Sequence, residues 1–325
     1  MSARSRKKLF FFSILFAILV FMNFWTDGEL NPHYPLQYSE AFHPKVHADV
    51  IIMGASHTAH GINPKYFETD HLKVFNFSMD GAGPSFNLKW YKKVFQAHYP
   101  TPSLVIYGVH WGMFDENFLQ RKFEQDSKYF PLEFLFQELL DTKSIDDLGR
   151  VKTLFLNRLG IIRGRKQLAD RLFRGASNVY AISRYYHGFI PYARKGRVDR
   201  KRDIKLQNSE AQMIAFEELL DEFEKNGTEV IFVQVPEYLP ARNASDIEES
   251  MRLLNKIAEK RKIPFLDYDT KRVTNINTDP TMFSDSIHLN EKGCDTFSEL
   301  LKGDIASFLK QRVAHDRDPR REANF

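Results

Sequence analysis

Five short runs of apolar residues, many of them β-branched or aromatic, punctuate the chain at 49–54, 73–77, 104–108, 229–235 and 264–268. Each has the length and composition of a strand buried on both faces. Between and after them, apolar residues recur at three- and four-residue spacing over 85–97, 209–226, 245–261 and 291–311, a pattern that predicts amphipathic helices. Gly227 provides the stop signal for the second of these. Strands alternating with helices describe a sheet covered on both sides, so the pattern predicts an α/β fold: a three-layer α/β/α sandwich around a mostly parallel five-stranded sheet.

Two stretches depart from that rhythm. Residues 9–25 form an uncharged apolar run behind Arg4, Arg6, Lys7 and Lys8, near the lower limit of length for a membrane-spanning helix. No Ala-x-Ala-like cleavage site follows, and Trp25 stands where the run meets Thr26 and Asp27, so a retained transmembrane anchor is expected rather than a cleaved signal peptide. The basic tip keeps the N-terminus cytoplasmic, which puts the rest of the chain outside the cytoplasmic membrane, in the periplasm or on the outer face of a bacterium. The second stretch, about 115–207, has helical patches and many aromatics but no clear strand, and is too long for an ordinary loop. The expected layout is therefore a basic tip and anchor over 1–26, a polar linker over 27–47, an α/β domain over 48–313 carrying a helical insertion, and a charged tail over 314–325.

Composition adds two constraints. The 325 residues, 43% hydrophobic and 14% aromatic, suffice for a packed core and exclude wholesale disorder. The net charge of +4 hides an uneven spread, because residues 150–205 hold 16 Lys or Arg against Asp170, Asp199 and Asp203. That excess reads either as a solvated loop or as a face for a polyanion or lipid headgroup. No nucleic-acid motif accompanies it, so nucleic acid is not an expected partner. A lone Cys294 excludes an internal disulfide and any cysteine-rich metal site.

The candidate chemistry lies at strand ends. Ser56 follows the run Val50-Ile51-Ile52-Met53, so its hydroxyl emerges at the carboxyl end of a strand, where open α/β sheets keep their sites. Asp285 and His288 are three residues apart, close enough for the carboxylate to hold one imidazole nitrogen while the other faces a serine hydroxyl. His57 and His60 also lie three apart, but no cluster of Cys, Asp or Glu at ligand spacing joins them, and no metal or other cofactor is expected.

Gly54-Ala55-Ser56, Asn76-Phe77-Ser78-Met79-Asp80-Gly81, Gly108-Val109-His110 and Asp285-x-x-His288 together resemble the four sequence blocks of the SGNH/GDSL hydrolase superfamily. Each block is common by chance; their order at successive strand ends carries the resemblance. It covers roughly 48–112 and 228–312 and implies a flavodoxin-like sheet order. It also implies Ser56 as nucleophile, His288 as general base, Asp285 as the residue orienting that base, and the backbone N–H groups of Ser56 and Gly81 as oxyanion donors. The chain departs from the family at Ala55, where an aspartate is usual, and at His110, which takes the place of the asparagine that completes the oxyanion hole. A neutral imidazole can donate one hydrogen bond, so His110 is a candidate third donor.

Trp111, Arg197, Arg200 and Lys201 are candidates for contacting substrate. A single N-terminal span before such a domain resembles polysaccharide O-acetylation proteins and the D-alanyl transfer protein of teichoic acid synthesis. That likeness implies an acyl donor, a cell-envelope carbohydrate acceptor and a membrane-bound O-acyltransferase as partner. Two readings follow: a membrane-anchored serine esterase or O-acyltransferase, and a catalytically silent scaffold or polymer-binding protein assisting such an acyltransferase.

Overall fold

The apolar runs form strands β1 (Val50–Met53), β2 (Val74–Asn76), β3 (Leu104–Val109), β4 (Glu229–Gln234) and β5 (Phe265–Asp267). In the computed structural model, which describes residues 10–18, 20–21, 33–43, 47–70, 72–115, 129–131, 133–134, 180–193, 198, 207–241, 245–272 and 274–316, they make one sheet of order β2-β1-β3-β4-β5. Every pairing is parallel. The expected sheet was mostly parallel; it is wholly so across these five strands. Strands buried on both faces need no polar alternation, which is why they read as continuous apolar runs.

The pleat splits each strand between two cores. Ile51, Met53, Val105, Tyr107 and Phe232 face one side; Val50, Ile52, Leu104, Ile106, Ile231 and Val233 face the other. Helices α1 (His33–Phe42), α3 (Pro84–Trp90), α4 (Glu210–Lys225) and α5 (Ser245–Arg261) cover the first side with residues such as Tyr38, Trp90, Phe223 and Leu254. Helix α6 (Glu291–Asp316) covers the second through Cys294, Phe297, Leu301 and Ile305. A π-helical turn, Tyr91–Phe95, continues α3 toward His98. Helix α2 (Ser56–Gly61) is a six-residue turn directly behind β1.

Helix α1 corrects the linker expected over 27–47. Gln37, Tyr38, Ala41 and Phe42 are buried, and Phe42 packs edge-on against Trp90. Its short, polar-looking sequence conceals one apolar side that the domain needs. The Gln37 side-chain amide donates to the Gly188 carbonyl at 2.7 Å, tying α1 to segment 180–193. That segment returns from the expected insertion to the outer edge of β2, where the Asn76 N–H donates to the His187 carbonyl at 2.8 Å.

Most of the expected helical insertion, including Arg197, Arg200 and Lys201, lies outside the described residues. The expected anchor is helical over 10–18 and 20–21, with Phe10, Phe11, Phe12, Phe16 and Phe21 exposed, and its other residues lie outside those described. Among the described residues no helix is long and apolar enough to cross a membrane.

Candidate active site

The order β2-β1-β3 reverses the direction of winding at β1, and the crevice beyond the carboxyl ends of β1 and β3 is where such sheets bind ligands. Two glycines let the start of α2 sit directly on that rim. Gly54 has φ +155°, and a Cβ there would meet Thr58 Oγ1 at 2.5 Å. On the neighbouring strand a Cβ at Gly108 would lie 1.7 Å from the same oxygen. Asn76, at the end of β2, holds the other end of α2: its side-chain amide donates to the carbonyls of Thr58 at 3.2 Å and Ile62 at 3.0 Å. Ser56 is thus the first residue of a short helix fixed at both ends.

The loop before α6 delivers the other two groups. Asn290 organises it by donating to the carbonyls of Thr281 at 2.8 Å and Phe283 at 3.0 Å, while its oxygen accepts the Gly293 N–H at 3.1 Å. Asp285 Oδ1 accepts the backbone N–H groups of Ile287 at 2.9 Å and His288 at 3.0 Å, which orients the carboxylate. His288 Nδ1 lies 2.9 Å from Asp285 Oδ2 and 3.0 Å from Oδ1, and His288 Nε2 lies 2.8 Å from Ser56 Oγ. A carboxylate only accepts, so Nδ1 carries the imidazole proton and Nε2 presents its lone pair to the serine hydroxyl. That arrangement can deprotonate Ser56 as the oxygen attacks.

Among the residues expected at the oxyanion position, Gly81 sits in the turn after Met79 with φ +62°, and the Met79 N–H donates to the Gly54 carbonyl at 3.2 Å, which ties this turn to the rim below Ser56. His110 is buried, and its Nδ1 accepts the Gly112 N–H at 3.2 Å. Burial above all, then the charges of His57 and His288, hold its imidazole well below the ordinary histidine value. The ring is therefore neutral, with its one proton on Nε2, a hydrogen-bond donor. Trp111, expected as a substrate contact, is buried, and its indole N–H donates to Glu237 Oε1 at 2.8 Å.

Sequence reasoning missed two groups of residues. His57, stacked on His110 with ring centroids 4.8 Å apart, is paired with buried Glu237. His60 turns away from it: Nδ1 donates to the Ile190 carbonyl at 2.6 Å and Nε2 contacts Asp80 Oδ1. The two histidines, three residues apart in sequence, thus each face a separate carboxylate. Asp80 Oδ2 also accepts the Tyr180 hydroxyl at 3.0 Å, Tyr180 stacks on Tyr192 at 5.1 Å, and the Tyr192 ring lies 5.2 Å from that of His288. Burial first, then the Asp80 charge, raise both phenols well above the ordinary tyrosine value, so both keep their protons as donors. The spacing of His57 and His60 was a visible signal; Glu237, Tyr180 and Tyr192 carried none, since no motif or period marks them.

No protein-family model matches the chain, and no curated protein matches it in sequence. Among solved structures it is similar to a GDSL-like lipase from Bacteroides thetaiotaomicron, at 15% identity and a TM-score of 0.40 over 84% of this chain and 98% of that one. It is also similar to a lipase/acylhydrolase from Enterococcus faecalis, at 13% identity and a TM-score of 0.40 over 79% of this chain and 94% of that one.

Proposed function

We propose that this chain is a serine acyl-transfer enzyme of SGNH/GDSL type, held at the cytoplasmic membrane by residues 9–25, that moves an O-acyl group to or from a cell-envelope carbohydrate. The observation that carries the reading is the contact chain Ser56 Oγ to His288 Nε2 at 2.8 Å and His288 Nδ1 to Asp285 Oδ2 at 2.9 Å. His288 takes the Ser56 proton while Oγ bonds to the acyl carbonyl carbon. The oxyanion that forms is met by the amides of Ser56 and Gly81 and by the Nε2–H of His110. Collapse of this intermediate breaks the bond to the leaving alcohol, which takes the proton from His288 and leaves the acyl group on Ser56. A second hydroxyl then reverses the sequence: water gives hydrolysis, a sugar hydroxyl gives transfer. No cofactor enters either step.

Support for the anchor is the charge-free run and the exposure of its described phenylalanines, which hydrocarbon would cover. The basic excess over 150–205 suits an anionic acceptor, with Arg197, Arg200 and Lys201 as its proposed contacts, and a membrane-bound O-acyltransferase is the proposed source of acyl groups. The silent-scaffold reading rests on His110 in place of the usual asparagine; against it, the Gly112 N–H on Nδ1 leaves the ring proton on Nε2, so the imidazole keeps a hydrogen-bond donor. The test is turnover of 4-nitrophenyl acetate by the purified full-length chain, with and without a soluble acidic oligosaccharide. Release of nitrophenol that Ser56→Ala abolishes supports the enzyme, and an oligosaccharide gaining the mass of one acetyl group supports transfer. A folded wild-type chain with no turnover overturns the reading in favour of the scaffold.

A further inference from the structure

Behind the serine, its base and its orienter lies a second histidine–carboxylate pair that the steps above do not use. The side chains of His57 and Glu237 are 5% and 4% exposed, and Nε2 of the first is 3.3 Å from Oε1 of the second. Glu237 is held from several directions: its carboxylate accepts the Trp111 indole N–H at 2.8 Å, and its backbone N–H donates to Asp269 Oδ1 at 3.3 Å. Asp269, itself buried, also accepts from the Gln234 amide at 3.4 Å. A carboxylate this deep is tolerated only when polar partners compensate its lost hydration; the indole N–H does so by a hydrogen bond, and His57 Nε2 stands beside the same oxygen.

The consequence lies in what His57 touches. Its ring is stacked on His110 at 4.8 Å with 24° between the planes, and it packs on His288 at 5.0 Å with 35° between the planes. One imidazole plate therefore touches both the base and the imidazole assigned to the oxyanion position, and Glu237 lies against the edge of that plate. His57 also follows Ser56 directly on α2. Swinging the plate out of place would shift both neighbours relative to the serine.

We propose that His57 and Glu237 are positioning residues of the acyl-transfer reaction: the clamped ring of His57 sets the spacing between His288 and His110, keeping base and third oxyanion donor in register on Ser56. This rests on Ser56 being the nucleophile. A pair that merely filled the core would affect stability and leave the chemical step alone.

The test is a variant cycle in the full-length chain, read as kcat and KM for 4-nitrophenyl acetate beside thermal unfolding and phosphonate labelling of Ser56. Glu237→Gln keeps the side-chain length and an oxygen for Trp111 while removing the charge. It is expected to lower kcat about 10- to 100-fold, the scale of a small misplacement of reacting groups, with KM little changed. Placed on a His110→Asn background, where only the packing on His288 remains, the same substitution is expected to cost less than in the wild-type background, because coupled residues are not additive. His57→Phe, which keeps the plate, should retain more kcat than His57→Ala. An equal loss from Glu237→Gln in both backgrounds, a loss confined to KM, or His57→Phe as poor as His57→Ala overturns the proposal. Should Glu237→Gln fail to fold, the comparison of the two His57 variants decides alone. A wild-type chain that neither turns over nor labels removes the acyl-transfer reading and this proposal together; an active wild type with Glu237→Gln at full kcat removes this proposal only.

Discussion

Two histidine–carboxylate pairs meet at the rim of the sheet, and they are built in opposite ways. His288 and Asp285 lie three residues apart in one turn, with side chains 12% and 38% exposed. His57 and Glu237 come from opposite halves of the chain and are almost sealed. Near solvent, a carboxylate can share a proton-bearing ring and let its charge change during turnover at little cost. In the interior the same change costs far more, so a buried pair suits a fixed support. In the proposed reaction the outer pair reacts and the inner one stays still.

Breaking the outer pair should have the largest effect. Ser56→Ala or His288→Ala is expected to lower kcat for an activated ester by up to about 10⁶-fold, with the double variant no worse than either alone, since the residues act as a unit. Asp285→Asn, which leaves His288 without the acceptor that sets its tautomer, follows at about 10⁴-fold. Initial rates corrected by active-site titration measure both. Non-multiplying losses sharpen the comparison, and independent, multiplying losses break it.

The oxyanion position comes next. His110→Ala is expected to cost about 10²–10³ in kcat, the usual loss for one donor, whereas His110→Asn, which restores a side-chain N–H, should recover most of it. Equal loss from both would remove the donor role of His110.

Smaller effects test the scaffold. Gly108→Ala places a methyl 1.7 Å from Thr58 Oγ1, so α2 must move; about 1–3 kcal/mol of stability should be lost, measurable by urea unfolding, together with part of kcat. An unchanged midpoint would mean that α2 is not seated as described. The least effect concerns pH. Because burial holds the His110 imidazole well below its ordinary value, the folded chain binds fewer protons at this site than the unfolded chain once pH falls below about 6.5. Its contribution to stability is thus present above that pH and is lost as pH falls toward the folded value, by at most about 1.4 kcal/mol per pH unit. His110→Asn should flatten the acid limb of stability against pH, and an unaltered limb would show that the ring titrates normally.

Much of this was legible in the sequence, for physical reasons that differ by element. Strands buried on both faces must be apolar throughout, so Val50–Met53 and Leu104–Val109 announce themselves. Gly227 ends α4 with φ +69°, a conformation that favours glycine, so the stop signal carries a mechanism. Asp285 and His288 are readable as a pair because their contact is local. Helix α2, at six residues, is too short to show a period. Helix α1 carries Pro35 and several polar residues, and nothing in its sequence says that Tyr38 and Phe42 will be buried against Trp90. Glu237 and Tyr192 reach the site only through the topology of the sheet and the return of segment 180–193, and contacts between distant segments leave no local pattern.

The most direct test of the central claim is covalent trapping. The purified full-length chain is treated with a serine-directed alkyl phosphonate and its peptides are mapped by mass spectrometry. A single adduct on Ser56, lost in His288→Ala and in Asp285→Asn at matched times, is the expected result. An unlabelled Ser56 in a folded chain, or labelling that persists undiminished without His288, would contradict it.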